Sequence, residues 1–399
     1  MRKKDLRGLR HALTLVFLTL ACLYLLFPSL VLADDDAESA TTPAGPAELT
    51  GDFKAAIVID ADTGLTMVAH NAHERRQPAS MLKMMTELIV LEHVDSGDMS
   101  LSEMVKVSAR ASNMGGSQVY LKHNTEFSVE DLLRALAIHS ANDAAVALAE
   151  HVAGSVEAFI DLMNMKAKEL GMNDSEFHSV HGLPPGWKQE PDLTTAHDLA
   201  ILGRELIKHP KALEWSSTKT APFENGTFTT LYNPNKLIGT YRGLDGIKTG
   251  FTGPAGFCVT ASAVQQGKRL ISVVMGCSTD EARATETTRL LSYGFNAFVQ
   301  VAVFPQAGAL LEEPIPLKGA KKKTAQVAYG ESLTVSVPRG RENDLKTDLQ
   351  LPGKVEAPQV KGAEVGFAVV TLDGREMGRV PLVLTEMVEK GNWWNRLMN

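Results

Sequence analysis

Ser80 and Lys83 stand one helical turn apart in Gln77-Pro78-Ala79-Ser80-Met81-Leu82-Lys83-Met84-Met85-Thr86. Leu82, Met85, Ile89 and Val94 recur at helical spacing, which predicts a helix with one face in a core. On such a helix the serine and lysine side chains meet. A serine hydroxyl is a poor nucleophile until a base takes its proton, and a lysine amine becomes that base once burial or a neighbouring cation lowers its pKa. Two more motifs follow in order: Ser140-Ala141-Asn142, and Lys248-Thr249-Gly250 within Asp245-Gly246-Ile247-Lys248-Thr249-Gly250-Phe251-Thr252. Singly they read as helix caps, a snorkelling lysine and an edge-strand lysine beside a turn glycine. Together they point to acyl transfer.

The chemistry assigns each residue a task. A serine at a helix N-terminus has a backbone N–H at the positive end of the dipole, ready to donate to the oxyanion formed by attack of Ser80 Oγ. Lys83 would take the proton as a neutral amine, while Lys248 would help keep it neutral and could hold a substrate carboxylate. Ser140 would relay a proton to the leaving amine, and the Asn142 amide would hold the substrate backbone and the lysines. Gly250 lets a substrate strand come close, an extended acyl-peptide would pair with this edge strand, and the Phe251 N–H would be the second oxyanion donor.

The elements that must position these residues are legible from periodicity. Ala55 to Asp60 and Leu65 to Ala69 flank Asp62-Thr63-Gly64 as a hairpin. Val129 to Ala153 reads as two helical pieces broken at Ser140-Ala141-Asn142-Asp143, with the break as the N-terminus of the second. Helices are expected at Val156 to Leu170, Thr195 to Lys208 and Glu281 to Val301, and strands at Phe257 to Val264 and Arg269 to Cys277. Hairpins at both ends with helices between them predict an α+β fold, an antiparallel sheet flanked by helices, over residues 53–298. Short strand-like runs then predict a smaller all-β domain at 299–385, with Val369-Thr371 and Asp373-Gly374 as a hairpin signal. The last stretch, 386–399, reads as a tail carrying Trp393 and Trp394.

At the N-terminus, Arg2, Lys3, Lys4, Arg7 and Arg10 precede an apolar run from Ala12 to Leu32 that closes on Ala33. This is the pattern of an export signal over residues 1–33, followed by an acidic tether, 34–52. The alternative is a retained anchor, since about 20 apolar residues can span a bilayer. Loss of five cations and one carboxylate with the signal would take the formal charge from -7 to -11, so nucleic-acid binding is not expected. The expected location is outside the cytoplasmic membrane, periplasmic or attached to the outer face of that membrane. Cys258 and Cys277 are the only cysteines beyond the signal, so no disulfide framework holds the fold. On a hairpin they would share a face nearly opposite each other, and the expected state is two free core thiols. His70 and His73 lack a third ligand, so no metal is expected.

The chain resembles the low-molecular-mass penicillin-binding proteins, serine D-alanyl-D-alanine carboxypeptidases. The resemblance rests on Pro78 to Thr86, His139 to Ala145, His181-Gly182-Leu183 with Thr195-Ala196-His197-Asp198-Leu199-Ala200, and Asp245 to Cys258. It covers Phe53 to the β-rich domain. It implies that Ser80 is the acyl-enzyme nucleophile, Lys83 its base, Ser140 and Asn142 the second element, and Lys248, Thr249 and Gly250 the third. It also implies that Arg283 helps bind the terminal carboxylate, that peptidoglycan stem peptides are substrates without any cofactor, and that β-lactams are covalent inhibitors. Family members often end in a long helix lying on the membrane, and this chain stops five residues after Trp394.

Three rival functions stand against this reading, the first of which shares the first and third motifs. A class A-like β-lactamase needs a deacylating glutamate, and Glu169-Leu170-Gly171-Met172-Asn173 matches the usual Glu-x-x-x-Asn spacing. Glu169, however, falls where a helix ends against Gly171. An endopeptidase cutting D-alanyl cross-links and a non-catalytic peptidoglycan-binding protein are the others. The intact set of Ser80, Lys83, Ser140, Asn142 and Lys248 argues against the last.

Overall fold

The computed structural model describes residues 49–184, 186, 189–304 and 306–392. The export-signal reading, most of the tether and the two tail tryptophans lie outside those residues. Strands β1 (Ala55–Asp60) and β2 (Thr66–His70) form the N-terminal hairpin. They join β3 (Leu244–Thr252), β4 (Gly256–Gln265) and β5 (Lys268–Cys277) in one antiparallel sheet of order β2-β1-β5-β4-β3. Strand β3, which carries Lys248 to Phe251, is therefore an edge strand.

Helix α1 (Lys83–Asp95) runs through the middle of the domain, preceded by a 3-10 turn over Ala79–Leu82. The expectation of one buried face is corrected: every residue from Lys83 to Leu91 is buried. Met84, Met85, Leu88, Ile89, Val90 and Leu91 surround the axis with apolar side chains, each contributing about 1.5–3 kcal/mol on burial. That is enough to carry Lys83 and Glu87 into the core with them.

Around α1 pack α2 (Val129–His139), α3 (Asn142–Ala153), α4 (Val156–Glu169) and α5 (Ala196–Leu206). Ser128, Ser155 and Thr195 each cap the helix that follows by accepting a backbone N–H, which saves about 1 kcal/mol per cap. The break between α2 and α3 falls where the sequence places it, and its geometry is specific. Ser140 ends α2 in the left-handed region, φ 66°, and Asn142 opens α3 with no side-chain cap from Ala141.

On the other sheet face lies α6 (Asp280–Ala297), capped by Thr279. It stops four residues before Val301, because Phe298–Phe304 alternates half-buried and exposed positions between two buried ends and forms strand β6. Residues 49–52 are not a free tether: Arg289 donates to Thr50 O at 2.9 Å, and Asp52 accepts from Ser278 N at 3.0 Å. The cysteines are free, but they do not share a face. Cys258 belongs to the core on the α1 side and Cys277 to the core on the α6 side, because the β4–β5 register shifts between Phe257 and Val259.

The C-terminal part is a separate β-rich core, in which β6 pairs with β7 (Leu333–Pro338) and β8 (Glu364–Leu372) with β9 (Arg375–Leu384). Asp373 and Gly374, both at positive φ, close the β8–β9 hairpin, as an Asp-Gly turn requires. Order extends past residue 385, where the tail was expected to begin. Val388 is buried in this core and Lys390 bridges to Ala320. Leu65 also enters the C-terminal core, and Ser336 Oγ donates to the buried Asp60 carboxylate, so the two parts are joined at the β1–β2 turn.

Candidate active site

A cleft of about 440 Å³ opens between the start of α1, the α2–α3 junction and the outer edge of β3. Ser80, Ser140, Thr249, Gly250, Phe251 and Arg283 line it. Lys83, Asn142 and Lys248 are buried at 0%, 1% and 3% exposure and do not line it. Sequence reasoning singled out all nine. Ser117, His139, Tyr232, Asn233, Pro234 and Phe257 also line the cleft, and none of them was singled out from the sequence as a site residue. His139 is satisfied, its Nδ1 lying 3.2 Å from Tyr232 O.

Lys83 Nζ donates to Ser80 Oγ at 2.9 Å and to the carbonyl of His181 at 2.7 Å. Burial holds its pKa well below the ordinary lysine range; the Lys248 charge adds to this, and Asp143 and Asp192 oppose it. Lys248 is itself lowered to about 7 by burial, with Glu87 pulling upward and Arg283 downward. A buried amine whose charged form is disfavoured, next to a serine hydroxyl, is what general-base activation requires.

Gly250 was expected to make room for substrate, and the structure supplies a different reason. A Cβ there would lie 2.9 Å from Pro78 O and 3.1 Å from Ser80 N, so the missing side chain lets β3 press against the nucleophile's own backbone. Gly182 does the same from the opposite flank, where a Cβ would meet Ala79 O at 2.0 Å. Ser80 is thereby wedged between two glycines.

The second element is held from behind. Asn142 Nδ2 donates to Gly115 O at 2.7 Å and its N–H to Ser117 O at 2.7 Å, while its Oδ1 and the Ser140 hydroxyl are buried without a partner. Asp143 fixes this loop by accepting from Val119 N and Leu121 N. Unsatisfied buried acceptors and hydroxyls beside a cleft are costly unless a ligand completes them.

Arg283, on the first turns of α6, is 7% exposed, pairs with Asp280 and donates to Cys258 O at 3.3 Å. Its guanidinium lies 5.9 Å from the Phe257 ring, which stacks on Phe251 at 4.1 Å. The aromatic wall and the cation stand side by side in the cleft. Glu169 is not there: it ends α4, largely exposed, and pairs with Lys166 at 2.9 Å. Glu87 is the buried carboxyl that sequence reasoning missed. It sits one turn beyond Lys83 with Oε1 unpartnered, and burial pushes it up to about 8 against the pull of Lys248.

A buried lysine on a serine, an edge strand at the cleft and a helical domain wrapped on an antiparallel sheet define a serine acyl-transfer enzyme of the penicillin-binding type. Residues 40–279 match the peptidase S11 family, D-alanyl-D-alanine carboxypeptidase, and residues 304–390 match the penicillin-binding protein 5 C-terminal domain; the chain belongs to that carboxypeptidase family. It is 35% identical to D-alanyl-D-alanine carboxypeptidase DacF of Bacillus subtilis over 349 residues, 87% of this chain and 88% of the relative. Its fold is similar to the crystal structure of penicillin binding protein 5 from Haemophilus influenzae, with a TM-score of 0.77 and 30% identity over 87% of this chain and 100% of that one. Penicillin-binding protein D2 from Listeria monocytogenes, solved in an ampicillin-bound form, aligns at a TM-score of 0.57 and 34% identity over 63% of this chain and 100% of its own.

Proposed function

We propose that the protein is a serine-type carboxypeptidase that removes the terminal D-alanine from peptidoglycan pentapeptide stems through a Ser80 acyl-enzyme. The observation that carries this reading is the 2.9 Å contact between a fully buried Lys83 Nζ and Ser80 Oγ. Neutral Lys83 takes the hydroxyl proton as Ser80 Oγ bonds to the carbonyl carbon of the penultimate D-alanine. The Ser80 and Phe251 N–H groups hold the oxyanion. On collapse, the C–N bond breaks and the proton reaches the leaving amine through Ser140, with Asn142 holding the substrate backbone. Water then attacks the ester with Lys83 again as base. Thr249 and Arg283 take the substrate carboxylate with the Lys248 charge behind them, and the stem lies along the β3 edge.

A β-lactam enters the same path, but its leaving amine stays tethered to the acyl group, so deacylation is slow. A β-lactamase reading finds no support in Glu169, whose side chain is exposed and spent on Lys166. The test is labelling of wild type and Ser80→Ala with a fluorescent penicillin, followed by D-alanine release from a pentapeptide. Labelling and release that both survive Ser80→Ala would sink the reading.

The export-signal pattern over residues 1–33 supports a location outside the cytoplasmic membrane, periplasmic or attached to the outer face of that membrane. Cell fractionation with N-terminal sequencing tests this; a cytoplasmic protein keeping Met1 would contradict it.

A further inference from the structure

A lysine base is useful only when its lone pair faces the hydroxyl it deprotonates. Lys83 gives one N–H to His181 O at 2.7 Å and lies 2.9 Å from Ser80 Oγ, so the position of that carbonyl governs what the amine, once neutral, presents to the hydroxyl. The carbonyl belongs to an irregular turn, His178 to Gly182, with no helix or strand to hold it.

One side chain organises the turn. Asp192 Oδ1 accepts the N–H of His178 at 2.6 Å and of Ser179 at 2.8 Å, and Oδ2 accepts the Ser179 hydroxyl at 2.7 Å. That hydroxyl in turn accepts the N–H of Gly182 at 2.9 Å, directly after the His181 carbonyl. Asp192 is 6% exposed, and the bridges Glu176–Leu193 and Arg76–Thr194 clamp its segment. From the other side, Thr86 on α1 donates to Val180 O at 3.1 Å. The turn is thus stapled between the helix that carries Lys83 and a buried carboxylate that does not line the cleft.

We propose that Asp192 is a positioning residue for the Ser80–Lys83 pair, acting through Ser179 and the His181 carbonyl. The proposal rests on the functional reading above. Asp192 also acts on Lys83 electrostatically. The charged groups facing Lys83 are Lys248, which lowers its pKa, and Asp143 and Asp192, which raise it. The His181 ring, held down at about 4 by burial and the nearby Lys83 and Arg110 charges, stays neutral near pH 7. Asp192→Asn keeps the shape and the two N–H bonds, but turns an acceptor into a donor toward Ser179 and deletes the charge.

The experiment compares wild type, Asp192→Asn, Ser179→Ala and the double variant. It reads the rate of acylation by fluorescent penicillin against pH, kcat and KM on a pentapeptide, and Tm. Expected is a loss of roughly ten- to a hundredfold in acylation rate and kcat, with KM little changed. The acid limb of the Asp192→Asn profile should move to lower pH, because Lys83 loses a neighbour that favoured its charged form. The double variant should lose no more than the worse single one, since both act along one path. If Asp192→Asn does not fold, Ser179→Ala carries the test, with the same fall in kcat at constant KM. Wild-type rates and an unmoved profile, or a rate loss that only tracks Tm, overturn the proposal. Labelling that persists in Ser80→Ala overturns instead the reading on which it rests.

Discussion

Lys83 Nζ touches Ser80 Oγ at 2.9 Å from a position with no exposure to solvent. The hydroxyl faces the cleft while its base is sealed in the core, so the proton has one short route. Lys83→Arg keeps a cation there but cannot lose its proton at any working pH. Acylation by penicillin should fall by about 10²–10⁴, read as the rate of fluorescent labelling. A rate within tenfold of wild type would remove Lys83 from the base role.

The Lys248 charge lowers the pKa of Lys83, so its removal should have a signed effect. In Lys248→Gln, Lys83 keeps its proton to higher pH, and the acid limb of the acylation profile should move upward. Loss of overall rate alone would also follow from poorer substrate binding. The shift of the limb is the diagnostic measurement, and an unmoved limb would contradict the coupling.

Glu87 titrates at about 8 in the folded protein and near the ordinary carboxylate value of 4.5 when unfolded. The folded state therefore binds the extra proton between those values, and wild type loses stability as pH rises through that window. Glu87→Gln has no such proton to lose. Its stability relative to wild type should grow between pH 5 and 8, by at most about 1.4 kcal/mol per pH unit. Lys248, lowered to about 7, acts in the opposite sense at higher pH, but it is present in both proteins. Urea midpoints at the two pH values check the prediction; a constant difference would mean Glu87 ionises freely.

A methyl group on residue 250 would press on Pro78 O and Ser80 N. Gly250→Ala should cost about 1–3 kcal/mol in stability through overpacking and displace the nucleophile's backbone. Acylation should drop by roughly ten- to a hundredfold. Full acylation with lowered Tm would show that β3 yields without moving Ser80.

Much of this was legible along the chain. Ser80 with Lys83 is a local pair, readable because a helix places i and i+3 together. The caps at Ser128, Ser155 and Thr195 and the Asp373-Gly374 turn are likewise local signals that the fold obeys. Misreadings came where a local pattern met a tertiary one. The all-round burial of α1 hides its amphipathic stripe, the alternation at Phe298–Phe304 overrides a helix continued from α6, and a register shift sends Cys258 and Cys277 to different cores.

Residue types and their order determined the chemistry, because a nucleophile, a base and a second lysine are properties of side chains that no fold can supply. Only the tertiary structure decided which groups tune that chemistry. His181 O, Asp192 and Glu87 lie 98, 109 and 4 residues from Lys83 in sequence, yet all three bear on the two lysines. A pKa is set by burial and by charges nearby in space, and a carbonyl is aimed by the turn that holds it. Neither can be read from spacing along the chain.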